Sequence, residues 1–188
     1  MLERREFVRE LLADRGDLLV VPGLGSATYD TAAAGDHPLN FYLWGAMGGT
    51  AMIGLGLALA RPDCRVAVIT GDGDMLMGLG SLATIGVKQP KNLAIVVLDN
   101  ARYGETGMQP SATDKGIDLV ALALACRFKQ ARAVSSIEDT AEVRALLHRG
   151  EGPLLVNARI SAEETPRVLP LRDGHAIKHR FIAALNSV

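Results

Sequence analysis

The sequence lacks most of the features that would send a chain out of the cytoplasm or onto nucleic acid. It has two cysteines, Cys64 and Cys126, far apart and without paired spacing. A disulfide framework, a zinc site and an iron–sulfur cluster are therefore not expected. No charge of one sign dominates: 20 Lys and Arg face 21 Asp and Glu. Neither a nucleic-acid partner nor a charged tail follows from that balance. No apolar run is long enough to span a bilayer. The start, Met1-Leu2-Glu3-Arg4-Arg5-Glu6, is too charged for a signal peptide. The expected compartment is the cytoplasm. No internal repeat and no low-complexity segment is present.

What is present suits one soluble domain. The 188 residues are 48% apolar and 22% charged, enough for a sizeable core. Apolar runs at 18–21, 66–70, 93–98, 131–134 and 154–158 alternate with segments of helical spacing. Those helices are expected at 7–13, 27–34, 50–60, 75–88, 117–127, 137–147 and 175–185. Nearly all-apolar strands between helices predict a three-layer α/β/α fold with a mostly parallel sheet covered on both faces. Residues 100–116 are expected to form a loop. From about 161 a C-terminal helical tail follows a stretch containing Pro166, Pro170 and Gly174.

Two polar clusters follow two of the strands. Gly71-Asp72-Gly73-Asp74 comes after Val66-Ala67-Val68-Ile69, and Asp99-Asn100-Ala101-Arg102-Tyr103-Gly104 comes after Leu93–Leu98. Open parallel sheets bind ligands at that edge. A carboxylate and a carboxamide meeting there offer the oxygen donors that suit Mg²⁺. The small residues Gly54, Gly56, Ala58 and Ala60 are poor choices for an exposed helix. They and the Gly78/Gly80 region predict close approach of another backbone.

Gly-Asp-Gly, 25 further residues, and a pair ending in asparagine resemble the thiamine diphosphate motif. Asp-Asn here replaces the usual Asn-Asn. Phe41-Tyr42-Leu43-Trp44-Gly45-Ala46-Met47-Gly48, Tyr103-Gly104-Glu105-Thr106-Gly107, Gln109-Pro110 and Pro166-Arg167-Val168-Leu169-Pro170 are similar to the beta subunits of sulfopyruvate decarboxylases. Phosphonopyruvate decarboxylases are similar too, and the likeness covers nearly the whole chain.

The resemblance implies thiamine diphosphate and Mg²⁺ as cofactors. It implies metal ligation by Asp72, Asn100 and the backbone carbonyl of Arg102. Gly71, Gly73, Asp74, Tyr103 and Gly104 would line the cofactor, with amides of Gly73 and Asp74 at the diphosphate. Met47 would wedge the cofactor into a bent shape, and Gly45 would admit its aminopyrimidine edge. Gly23 to Ser26 would add diphosphate contacts. Glu105 and Thr106 could reach a 2-oxoacid substrate.

Full-length thiamine enzymes also carry an aminopyrimidine-binding domain with an activating glutamate. A chain of this size has room for one domain, at about 100–200 residues each. The resemblance therefore implies a separate subunit supplying that glutamate, and a homodimer of this chain within a larger hetero-oligomer. Two other readings stay open: a subunit of an acetolactate-synthase-like or transketolase-like enzyme, and a non-catalytic regulatory subunit. His37 is expected in a turn, His148 at a helix C-terminus where the dipole favours its charge, and His175 and His179 on a solvated helical face. Both cysteines are expected to be buried and inert.

Overall fold

The computed structural model describes residues 1–188. Five strands build one parallel sheet: β1 (Leu19–Pro22), β2 (Val66–Gly71), β3 (Leu93–Asp99), β6 (Gln130–Val134) and β7 (Leu154–Arg159). Their order is β1-β2-β3-β7-β6. β-Branched and small apolar residues fill these strands, and every residue of β1 and β3 is buried. Alternate side chains point to opposite faces. Val20, Ile69 and Val96 join one core with Phe7, Leu11, Val143 and Leu147. Val21, Val68 and Ile95 join the other with Leu55, Leu82, Ile85, Leu119 and Phe181.

The helices divide accordingly. α1 (Arg4–Leu11), α2 (Ser26–Ala33) and α7 (Thr140–Arg149) cover the first face. α3 (Thr50–Ala60), α5 (Ser81–Lys88), α6 (Leu119–Ala125) and α8 (Gly174–Leu185) cover the second. This is the expected three-layer α/β/α arrangement. No helix is long and apolar enough to cross a membrane.

The helix expected over 75–88 is two helices. α4 (Asp72–Met77) starts directly after β2, and α5 follows a break at Gly78-Leu79-Gly80. The break has a steric cause. A Cβ on Gly78 would overlap the backbone carbonyl of Gly48. The close approach expected around Gly78 is thus made by the chain's own backbone. Gly54 is similar, since a Cβ there would overlap the Val68 side chain of β2. Of the four glycines singled out, Gly56 and Gly80 face open space.

Other elements shift at their ends. α1 begins at Arg4 because the Glu3 carboxylate accepts the backbone N–H groups of Arg5 and Glu6. The loop over 100–116 contains a short hairpin, β4 (Arg102–Tyr103) with β5 (Gln109–Pro110). The helix expected from 137 opens with a 3₁₀ turn over Ile137–Asp139 before α7.

The C-terminal segment is helical only from Gly174. Residues 161–173 run irregularly along the carboxyl edge of the sheet. They are fastened by Arg4 to the Thr165 hydroxyl at 2.9 Å, Arg5 to the Pro166 carbonyl at 2.6 Å, and Trp44 Nε1 to the Leu171 carbonyl at 3.0 Å.

Candidate active site

The carboxyl ends of β1, β2 and β3 open into one cavity of about 290 Å³. Ten of the sequence-predicted residues line it: Met47, Gly71, Asp72, Gly73, Asp74, Asn100, Arg102, Tyr103, Gly104 and Glu105. Thr106, Leu24 and Ser26 line it as well. Gly45 does not; it lies outside the wall with open space where a Cβ would point.

Asp72 begins α4 and is 2% exposed. Its Oδ2 accepts the Ser111 hydroxyl at 2.5 Å and the Thr113 hydroxyl at 3.3 Å. Its Oδ1 has no side-chain partner. Burial pushes this carboxyl above its ordinary range; Ser111 opposes the rise, and the charge of Asp99 adds to it. A cation beside Oδ1 would reverse that balance.

Asn100 lies in a turn that its own side chain closes, with Oδ1 accepting the Arg102 N–H at 2.9 Å. A carbonyl oxygen of this type keeps a second lone pair. Ala101, inside the turn, holds φ of 59°, a left-handed conformation costing a non-glycine residue about 1–2 kcal/mol. The turn persists because Asp99 accepts the Ala101 N–H at 3.0 Å. Asp99 is held in turn by Thr113, Asn157 and Arg159 at 2.8, 3.0 and 2.9 Å. The donors present, one carboxylate oxygen and one amide oxygen beside backbone carbonyls, fit a hard divalent cation. No cluster of three His, Cys, Asp or Glu residues offers a rival metal site.

Asp74 lies inside the first turn of α4, not ahead of a helix starting at 75. Its carboxylate accepts the Gly48 N–H and the hydroxyls of Thr50 and Thr70. It therefore moors the segment that carries Met47. Ala46 in that segment has φ of 60°, a second strained residue beside the cavity.

Met47 and Tyr103 converge on Gly73. A Cβ on Gly73 would lie 2.7 Å from the Tyr103 ring and 3.4 Å from Met47 Cε. Glycine is required there for the ring to reach the backbone.

Glu105 sits in the 3₁₀ turn after β4 and ion-pairs with Arg167 at 3.3 Å. Its side chain also packs against Gly25, where a Cβ would lie 3.0 Å away. Arg167 in turn stacks over the Tyr29 ring, 5.5 Å from its centroid. Arg102's guanidinium pairs with Asp114 at 3.4 Å, while its backbone N–H closes the Asn100 turn.

Three sequence expectations about histidines meet different outcomes. His37 does lie in a turn, its Nδ1 accepting the Leu39 N–H at 3.2 Å. His175 and His179 stack at 4.2 Å on α8 with no third ligand. His148 does not serve the end of α7 as a cation. Burial, then Arg65, Arg144 and Arg149, push its pKa down. The carbonyls of Leu146, Leu147 and Gly150 are taken by the Arg65 guanidinium instead. Cys64 is buried as expected, and burial raises its thiol; Cys126, expected to be buried as well, is only half-buried.

Sequence reasoning missed Arg4, Ser111, Thr113 and Ile160. Arg4 and Ile160 line the cavity, and the two hydroxyls hold Asp72. Nothing local marks them, because each is brought in from a separate segment.

Residues 23–158 match the family described as thiamine pyrophosphate enzyme, C-terminal TPP binding domain. The sulfopyruvate decarboxylase subunit beta of Methanocaldococcus jannaschii is 33% identical over 190 aligned positions, covering 97% of each chain. The phosphonopyruvate decarboxylase of Streptomyces viridochromogenes is 40% identical over 144 positions, 77% of this chain but 36% of that protein. The chain thus spans about a third of the one relative and nearly all of the other. A benzoylformate decarboxylase from Polynucleobacter necessarius shares the fold, with a TM-score of 0.73 at 18% identity over 88% of this chain and 34% of that one. The chain therefore belongs to the thiamine pyrophosphate enzymes and, within them, to the group of the sulfopyruvate decarboxylase beta subunits.

Proposed function

We propose that this chain is the diphosphate-binding subunit of a thiamine diphosphate- and Mg²⁺-dependent decarboxylase acting on sulfopyruvate or a similar 2-oxoacid in the cytoplasm. The observation that carries the reading is the meeting of Asp72 and the Asn100 turn in one cavity, at the carboxyl ends of adjacent strands. When bound, the cofactor supplies a carbon nucleophile and takes up the electron pair left by departing CO₂.

The chain's own residues have separate tasks in this reading. Asp72 Oδ1, Asn100 Oδ1 and the Arg102 carbonyl hold Mg²⁺. The first-turn amides of α4, including that of Gly73, have no partner inside the helix and face the diphosphate. Met47, moored through Asp74, presses on the cofactor from the cavity mouth and keeps it bent. Tyr103 and Gly104 close the opposite wall. Glu105, tied to Arg167, stays at the rim where a 2-oxoacid enters.

No glutamate inside the cavity is free to activate an aminopyrimidine. Glu105, the one glutamate on its wall, is engaged by Arg167 against the β1–α2 turn. A separate subunit is the source of that acid. Met47 and Met77, which are 38% and 61% exposed at the mouth, support a covering partner there. The 97% mutual coverage with a protein named as a beta subunit favours a decarboxylase subunit over an acetolactate-synthase-like or regulatory role.

The test measures CO₂ release from sulfopyruvate and exchange of the cofactor's C2 proton. Both are expected to be slow for the chain alone and fast once the partner subunit is added. Rapid exchange by the chain alone would mean that it holds its own activating acid. Failure of the complete assembly to bind thiamine diphosphate with Mg²⁺ would defeat the reading altogether.

A further inference from the structure

Arg4 is 7% exposed, yet it lines the cavity. It comes from the first turn of α1, far in sequence from every strand-end motif. Two of its guanidinium nitrogens are engaged: Nε on Asp30 and Nη2 on the Thr165 hydroxyl at 2.9 Å. The third, Nη1, has no hydrogen-bond partner in the chain. Asp30, fully buried, also accepts Arg5 at 3.2 Å. Two guanidiniums thus share one carboxylate, which leaves a net positive charge beside the cavity, and Nη1 of Arg4 is a free donor that an anionic ligand would meet.

The neighbouring wall has the same polarity. Ser26 and Ala27, at the N-terminus of α2, line the cavity beside Arg4. The residue before them, Gly25, makes no side-chain cap; the Glu105 side chain packs against it without taking a hydrogen bond from the helix's first amides, which have no partner inside the helix. Met47 and Met77 are exposed residues of the wall, whereas Arg4 is among its buried ones. Arg4 also shares a smaller adjoining hollow with Ser26 and Asn100, so it stands on the side of the cavity where the proposed metal ligand Asn100 lies.

We propose that Arg4 binds the terminal phosphate of the thiamine diphosphate, through Nη1 and together with the N-terminus of α2. This rests on the function proposed above and adds a residue outside the motif. Asp30 and Thr165 act as its positioning partners: they fix the guanidinium plane so that one N–H edge faces the phosphate. A guanidinium held this way loses little freedom when it binds.

The test compares thiamine diphosphate with thiamine monophosphate, which lacks the terminal phosphate. Affinities are measured with Mg²⁺ by calorimetry on the full chain, alone and assembled with its partner subunit. Arg4→Gln is expected to weaken diphosphate binding about tenfold or more, the loss of one charge-assisted contact. Monophosphate affinity should change less than about twofold. Equal losses for the two ligands, or no loss for either, would overturn the assignment.

Should Arg4→Gln not fold, Arg4→Lys carries the test. It keeps the charge and loses the planar fork, and it should lose selectively for the diphosphate. At saturating cofactor, the KM for the 2-oxoacid should be unchanged in Arg4→Lys. A raised KM with intact diphosphate affinity would move Arg4 to the substrate and sink the proposal. A wild-type assembly that binds neither ligand would overturn the function reading itself.

Discussion

Asp72 and Asp99 are joined through one hydroxyl: Thr113 Oγ1 lies 3.3 Å from Asp72 Oδ2 and 2.8 Å from Asp99 Oδ1. The two carboxylates are 2% and 1% exposed, and they end neighbouring strands. The charge of Asp99 adds to the rise that burial produces in the Asp72 pKa, and the hydroxyls of Ser111 and Thr113 offset part of it. Both hydroxyls meet Asp72 Oδ2 and leave Oδ1 without a side-chain partner.

Thr113→Val keeps the shape and removes that hydroxyl. The buried pair then loses its one shared donor, which costs roughly 1–3 kcal/mol. We expect a lower urea midpoint and weaker Mg²⁺-dependent cofactor binding. Unchanged values for both would show that Ser111 alone holds Asp72.

Asp72→Ala should abolish Mg²⁺-dependent binding of thiamine diphosphate while circular dichroism remains native. Asn100→Ala should weaken it less, because a neutral oxygen contributes less than a carboxylate to holding a divalent ion. Tight, Mg²⁺-dependent binding by Asp72→Ala, read by calorimetry, would remove Asp72 from the metal site.

Gly78→Ala and Gly80→Ala differ by two positions and should differ sharply in outcome. A Cβ at Gly78 overlaps the Gly48 carbonyl, whereas at Gly80 it meets nothing. Overpacking costs typically 1–3 kcal/mol, so Gly78→Ala should lower the melting temperature by several degrees. Gly80→Ala should stay within about 0.5 kcal/mol. Equal effects would contradict the steric origin of the α4–α5 break.

Acid should destabilise the fold before the carboxylates titrate. Burial lowers the pKa of His37 and of His148 from the ordinary 6.5. The unfolded chain then binds more protons than the folded one between the two values, so stability rises with pH across that window. The contribution is fully present above about 6.5 and is lost as pH falls through the folded pKa values. Urea midpoints should fall from pH 7.5 to pH 5.5, and His148→Gln should flatten part of that fall. A midpoint that rises on acidification would be inconsistent with neutral, half-buried imidazoles.

Much of the fold was legible because strands buried on both faces must be apolar throughout, as 93–98 is, and because Gly-Asp-Gly and Asp-Asn fall at strand ends. The boundary errors have local causes that periodicity does not record. The helix expected over 75–88 carries a continuous apolar pattern, yet Gly48 abuts Gly78 and divides it. His148 looked like a favourable helix-end charge until Arg65, from another segment, took the carbonyls.

By itself, the sequence determined the alternation of strand and helix and the two strand-end clusters. These depend on local spacing and on residue chemistry, which the linear order carries. Tertiary structure alone decided which distant groups complete the site. Arg4 from α1, Ser111 and Thr113 from the loop after β5, and Asp74's inward turn to Thr50 and Thr70 all arise from contacts between segments far apart in the chain. Such contacts are set by how the layers pack, because a buried charge or hydroxyl must find its partner wherever the fold brings one.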